Sequence, residues 1–266
     1  MLVNKTLPQL FSKTSLLIEQ ELNVFLEQDS WDSELAHYYK YSILGGKCYR
    51  AALFLELIKF FRASESLPKY LVKAALSFEF VHASSLVHDD LPCMDDDSFR
   101  RNKPSMHVYA GEANAVMLGY SLLISAFENI TSIKDMGAAQ KNYYVQSLTR
   151  ASGGRGMLLG QFYDLKKDTV ERKKIHRLKT GALMASVCEM ACYFASDEPH
   201  VSREAIDEAI DFGLNLGEYF QWKDDLDDGE FVEALEHKLR DLENKIQSYC
   251  EKSLPNFEWR SWLEVL

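Results

Sequence analysis

Residues 71–97 read LVKAALSFEFVHASSLVHDDLPCMDDD, an apolar run that ends in two groups of aspartates. From Leu71 to Val87 the apolar side chains recur at three- and four-residue spacing, the period of a helix with a buried face. Asp89 and Asp90 stand at its C-terminal end, and Asp95, Asp96 and Asp97 follow after Pro92. Asp95 is six residues beyond Asp89, roughly 240° around an ideal helix, so the two share no face while the helix continues. Pro92 breaks it, because a proline removes one backbone donor and clashes with the preceding turn. The stretch predicts a helix whose broken end presents two or three carboxylates together.

Outward from this helix the same period recurs almost throughout. Leu10, Phe11, Leu17, Ile18, Leu22 and Phe25 suggest an opening helix. Further runs cover Ala51 to Phe61, Asn114 to Ile130, Asn142 to Arg150, Ile175 to Ala195, Ser202 to Asp225 and Phe231 to Leu254. Breaks fall at Gly45-Gly46, Leu67-Pro68, Pro92, Pro104, Gly153-Gly154 and Pro199. No strand-like alternation lasts more than a few residues, and only 13 glycines and 6 prolines in 266 residues favour long regular elements. No repeat, low-complexity tract or linker divides the chain, so the expectation is one all-α domain over residues 1–266.

A formal charge of −10 repels nucleic acid, and no basic stripe or aromatic platform offsets it. The most apolar stretch, Ala113 to Phe127, holds Asn114, Tyr120 and two serines, and reads as a buried core helix, not a membrane span. The N-terminal MLVNKTLPQLFSKTSLLIEQEL lacks a cleavable signal pattern. The five cysteines, Cys48, Cys93, Cys188, Cys192 and Cys250, are scattered and without a second ligand pair for zinc. A reducing cytoplasm is their simplest home.

A second acidic cluster, Gln221-Trp222-Lys223-Asp224-Asp225-Leu226-Asp227-Asp228, ends another apolar run. Gln221, Asp224 and Asp228 are spaced i, i+3, i+7 and share a helix face, with Asp225 beside them. Carboxylates at a helix C-terminus are unfavourable alone, because the dipole already places negative charge there. Hard, oxygen-loving cations offset that repulsion, and Mg²⁺ in particular bridges one or two carboxylates to substrate phosphates. Arg100 and Arg101, just past the first cluster, suit forked bonds to phosphate oxygens. One acidic run alone would be read as a solvated helix end; two, one of them with an arginine pair attached, point to a diphosphate. Neither has the alternating ligands and central glycine of an EF-hand.

The segment HASSLVHDDLPCMDDDSFRRNKPSMHVYAGEANAVMLGYSLL (82–123) resembles the first aspartate-rich region of the trans-polyprenyl diphosphate synthases, of the bacterial farnesyl and geranylgeranyl type. Gly45-Gly46-Lys47 through Arg50, GMLLGQFYDL (156–165), HRLKTGALMA (176–185) and FGLNLGEYFQWKDDLDD (212–228) are similar to that family's motifs, in its order. The resemblance implies a helical bundle around a deep central cavity, a homodimer, and the two clusters facing each other across the cavity mouth. It implies Mg²⁺, as three ions with substrate bound, on Asp89, Asp90, Asp95, Asp224, Asp225 and Asp228. Lys47, Arg50, His82 and Arg101 would hold isopentenyl diphosphate, and Arg100 and Lys179 the allylic diphosphate. Lys179, Thr180 and Gln221 would form the catalytic set, with Thr180 and Gln221 near the developing allylic cation.

Cys48, Ala51, Tyr120 and Leu159 depart from that pattern without removing a proposed ligand. After Asp228 the family carries a loop of roughly twenty residues with a lysine, a common size for a lid. Here Gly229-Glu230 runs straight into FVEALEHKLRDLENKI, so either the loop is deleted or residues are missing from the sequence as given. A class I terpene cyclase is the rival enzyme, although its second metal site mixes asparagine, serine and glutamate where this chain has DDLDD. A non-catalytic synthase subunit is the rival of another class, although such subunits lose aspartates from one cluster. Ser84, five places before Asp89, leaves room for a C20 product, whereas Phe80 one turn deeper would restore a floor for C15. Farnesyl diphosphate ranks slightly ahead of geranylgeranyl diphosphate on this reading.

Overall fold

In the computed structural model, which describes residues 6–27, 31–166, 170–195, 201–227 and 232–264, nearly every element is a helix. The chain falls into two compact units, Met1–Ala52 with Pro68–Val145, and Leu53–Leu67 with Gln146–Leu266.

The first unit holds α1 (Leu7–Glu27), α2 (Ser33–Ile43), the first turn of α3 (Tyr49–Arg62) and α4 (Tyr70–Asp89). A two-residue hairpin follows, Phe99–Arg100 (β1) against Lys103–Pro104 (β2), then α5 (Met106–Ala110), α6 (Glu112–Thr131) and the first half of α7 (Ala138–Ser152). Helix α4 is buried on nearly every side, from Leu71 to Val87, which is the pattern of a helix at the centre of its unit. It is fixed there by specific polar bonds as well as by area. Asn129 Nδ2 donates to Lys73 O at 2.6 Å and to Ser77 Oγ at 2.9 Å, and Ser84 Oγ donates to Gly119 O at 2.7 Å. Phe80 is fully buried, with its ring 5.0 Å from Phe25 and 5.9 Å from Tyr39. Tyr39 is in turn held by Ser121 and Ser125, at 2.7 and 2.8 Å.

The second unit contains the rest of α3 and α7, then α8 (Met157–Asp164), α9 (Arg172–His176), a π-helical turn (Arg177–Gly181), α10 (Ala182–Ala195), α11 (Arg203–Asp227), α12 (Val232–Ser253) and α13 (Trp259–Glu264). Helix α10 is apolar all round, and its one carboxylate, Glu189, is satisfied by Ser147 Oγ at 2.5 Å and Arg150 Nη2 at 2.7 Å. The cysteines are free; burial pushes the Cys192 thiol up to about 11 and that of Cys250 up to about 12, so neither is ionised near neutral pH. Among the described residues no helix is long and apolar enough to cross a membrane.

The sequence read Ile175–Ala195 as one continuous helix; the structure interrupts it with the π-turn. It also adds α2, α5, α8, α13 and the hairpin, none of which the periodicity marked.

Candidate functional site

Helix α4 stops at Asp89, and the chain then folds back on itself. The Asp95 amide donates to the Asp89 carbonyl at 2.9 Å, the Met94 amide to Leu91 O at 2.8 Å and the Asp96 amide to Leu91 O at 3.1 Å. This is how Asp95 reaches Asp89 despite their six-residue spacing: the helix ends and the two backbones are joined directly. Asp95 is exposed and Asp89 partly so. Asp90 differs, since it is buried and its Oδ1 accepts from Arg100 Nε at 3.0 Å and from Arg100 Nη2. Burial still outweighs those bonds and holds its carboxyl above the usual range. Arg100 also donates to Asp97 Oδ2 at 2.8 Å, so Asp97 is more than a solvated neighbour. The expectation placed Asp90 among the metal ligands and Arg100 on a diphosphate; in this structure each occupies the other.

Beside this helix end lies a basic group. Arg101 and Asn102 form the tip of the hairpin with φ of 52° and 59°, the pair of positive angles that a tight two-residue hairpin turn demands. Neither is glycine, so the turn is strained and needs support. Arg101 Nη1 donates to Ser42 O at 3.3 Å and Ile43 O at 3.2 Å, the C-terminal carbonyls of α2, where the helix dipole favours a cation. Its guanidinium lies against Gly46, where a Cβ would sit 2.6 Å from Arg101 Cζ. That contact gives the Gly45-Gly46-Lys47 segment a physical reason. Arg50 Nε is buried without a hydrogen-bond partner. His82 is held well below its ordinary value by burial and then by Arg50, Arg101 and Arg100, so it is a neutral imidazole. Lys47, three residues before Arg50, is exposed.

The second cluster ends α11. Asp224 Oδ2 accepts from Gln221 Nε2 at 3.4 Å, Asp227 pairs with Lys223 at 3.1 Å, and Asp225 lies 3.5 Å from both Arg172 Nη1 and His176 Nε2. His176 packs edge-on to Trp222 at 4.3 Å, and burial, then Arg172, push its pKa down to about 4. The expected ligand Asp228 and the junction at Gly229-Glu230 lie outside the described residues. Lys179 and Thr180 sit on the π-turn, a distortion that adds a residue to a helical turn and marks many functional sites. Lys179 Nζ donates to Asp164 Oδ2 at 2.7 Å, and Arg177 fastens the turn to α11 through Glu218 at 3.1 Å. Close approach makes this possible: a Cβ on Gly217 would lie 2.4 Å from Gly181 Cα.

Sequence reasoning missed Glu79, Asp164, Arg172 and His176, which partner the expected residues. Glu79 carried a readable signal, as a carboxylate inside an apolar run demands a partner. The others have none, because their pairings span 15 to 53 residues.

Among the described residues no group of three or more histidine, cysteine, aspartate or glutamate side chains gathers as a metal cage. Asp89 and Asp95, joined through their backbones, offer only carboxylate oxygens. That fits Mg²⁺, which takes one or two carboxylates and completes its shell with water and substrate phosphate.

An all-helical fold with aspartate-bearing helix ends and a basic group beside one of them defines the isoprenoid synthase class. Residues 32–250 match the polyprenyl synthetase family, and the chain belongs to it. It is by that membership a prenyltransferase of isoprenoid diphosphates. It is 35% identical over 230 residues to a farnesyl diphosphate synthase of Bacillus subtilis (strain 168), covering 84% of this chain and 74% of that one. Similarity to a geranylgeranyl diphosphate synthase of Pantoea ananas is 37% over 164 residues, 60% of this chain and 53% of that one. The solved geranyltransferase of Legionella pneumophila superposes with a TM-score of 0.82 at 28% identity, over 97% of this chain and 93% of that one.

Proposed function

We propose that this chain is a Mg²⁺-dependent short-chain synthase that condenses isopentenyl diphosphate with dimethylallyl or geranyl diphosphate to give farnesyl diphosphate and pyrophosphate. The observation that carries this reading is the folding back of Asp95 onto Asp89 beside a neutral His82, an unsatisfied Arg50 and an anchored Arg101. Arg50, Arg101 and Lys47 take the diphosphate of isopentenyl diphosphate, and His82 adds an uncharged hydrogen bond. Lys179, exchanging Asp164 for substrate, and Arg100 face the allylic diphosphate. Asp89 and Asp95, with Asp90, would hold magnesium at the first cluster, and Asp224, with Asp225 and Asp228, at the second, where it would supply electrostatic stabilisation of the departing diphosphate.

The allylic C–O bond breaks, leaving an allylic cation and pyrophosphate. Thr180 and Gln221 present their oxygens to that cation, and apolar side chains exclude water that would capture it. The double bond of isopentenyl diphosphate then forms the new C–C bond, and the proton released goes to pyrophosphate. Both units serve one catalytic domain on this reading, which the continuous family match over residues 32–250 supports. The enzyme is cytoplasmic and works as a homodimer; the exposed apolar stripe Val116, Met117, Tyr120 and Ile124 on α6 favours self-association. The fully buried Phe80, backed by Phe25 and Tyr39, favours a C15 product. The similarity to the Pantoea ananas enzyme keeps C20 as the second reading.

Asp89→Ala and Asp224→Ala test the roles of the clusters. Each is expected to lower kcat by several orders of magnitude with a smaller rise in KM, while far-UV circular dichroism and Tm hold. Near-normal turnover in either variant contradicts the proposal.

A further inference from the structure

We propose that Glu79 is a positioning residue for the isopentenyl diphosphate site, the buried counter-charge that holds Arg50 and Arg101 together before the anion arrives. The inference rests on the reading above that Arg50, His82 and Arg101 take this diphosphate, and it adds a residue that touches no substrate.

Glu79 lies one helical turn before His82 on α4 and is only 4% exposed. Its Oε1 accepts from the Ala51 amide at 3.0 Å, in the first turn of α3, so its carboxylate reaches the backbone next to Arg50. The two guanidinium groups repel one another: Arg101 disfavours the charge on Arg50, while Glu79 favours it. Arg50 and Arg101 in turn both favour the Glu79 carboxylate against the cost of its burial. Without Glu79, two arginines and their desolvation would stand uncompensated, and the less anchored Arg50 would turn toward water. Arg101 is pinned by Ser42 O, Ile43 O and the surface of Gly46; Arg50 has no such bond at Nε. Glu79 therefore acts chiefly through Arg50. The effect is preorganisation: the arginines are ordered in advance, so the anion does not meet that entropic cost on binding.

Steady-state kinetics of Glu79→Gln, Arg50→Ala and the double variant test this, with Tm measured alongside. Glutamine keeps an oxygen for the Ala51 amide, so Tm is expected to stay within a few degrees. KM for isopentenyl diphosphate should rise about tenfold, the scale of one lost charge-assisted interaction, while KM for the allylic substrate stays within about twofold. In the Arg50→Ala background Glu79→Gln should add little, because the residue through which it acts is gone. An unchanged KM in Glu79→Gln overturns the proposal, as does a full multiplication of the two single effects. If Arg50→Ala itself leaves KM for isopentenyl diphosphate unchanged, the underlying assignment of the basic group fails. Should Glu79→Gln not fold, Glu79→Asp replaces it: the shorter side chain keeps the charge but withdraws it from α3, so KM for isopentenyl diphosphate should rise with KM for the allylic substrate held. An unchanged KM for isopentenyl diphosphate in that variant overturns the proposal.

Discussion

Asp90 and Asp225 are each the second aspartate of an adjacent pair, and each is held by side chains of its own unit. Arg100 holds Asp90, and Arg172 with His176 holds Asp225. Asp89 and Asp224, the first of each pair, stand beside these fixed carboxylates near the ends of α4 and α11. In the basic group an imidazole is kept neutral by burial and by Arg50, Arg101 and Arg100. His82 in the unfolded chain takes up a proton below about pH 6.5, whereas in the fold it does not until a much lower pH. The unfolded state then binds more protons, and stability falls as pH drops below that value. Replacing His82 by Asn should reduce the loss of unfolding free energy between pH 7 and pH 5 by on the order of 1 kcal/mol. Urea denaturation of both proteins at the two pH values measures it; parallel losses would mean that His82 is protonated in the fold.

At the scale of elements, the crossing of α11 over the π-turn decides where Lys179 and Thr180 point. Gly217 permits it, because a Cβ there would be 2.4 Å from Gly181 Cα and 2.9 Å from the Thr180 carbonyl carbon. Gly217→Ala should force the backbones apart, cost about 1–3 kcal/mol, and raise KM for the allylic substrate more than that for isopentenyl diphosphate. Thermal denaturation and paired KM values check this; an unaltered Tm would show that the crossing has slack. Helices such as α4 and α10 were legible in the sequence because a long apolar run with helical period has few alternatives. Helix α2 was not, since its tyrosines and charges blur the period; its readable mark was Asp32, whose Oδ1 caps Glu34 and Leu35 amides at 2.9 and 3.1 Å. The π-turn was invisible because it lies at the start of its run, where Ile175 and Leu178 are too few apolar residues to reveal a change of phase. The hairpin was invisible because two residues per strand carry no alternation. The aspartate clusters were legible by composition, and the break at Pro92 foretold that Asp95 would come round to Asp89. What no spacing revealed is which carboxylates are already paired, as with Asp90 and Arg100, because that depends on tertiary contact.

For the whole molecule, a formal charge of −10 and anionic substrates make binding a local affair. Beyond a Debye length of about 8 Å at physiological salt the surface hardly acts on a substrate, and within it the arginines and lysines near the aspartate clusters outweigh the surface. The chain has every residue type that the condensation needs and assigns none of its five cysteines a catalytic part. A cyclase would have no use for Lys47, Arg50, His82 and Arg101, and a non-catalytic subunit would have no need of two carboxylate clusters. The measurement that separates these is incubation of the purified chain with Mg²⁺, radiolabelled isopentenyl diphosphate and, in turn, dimethylallyl and geranyl diphosphate, followed by chromatography of the products by chain length. The account predicts label in an allylic diphosphate, chiefly of fifteen carbons (about three isoprene units of one helical turn each), with one pyrophosphate released per bond formed and none without Mg²⁺. A hydrocarbon product free of label, or no product from either primer, would contradict it.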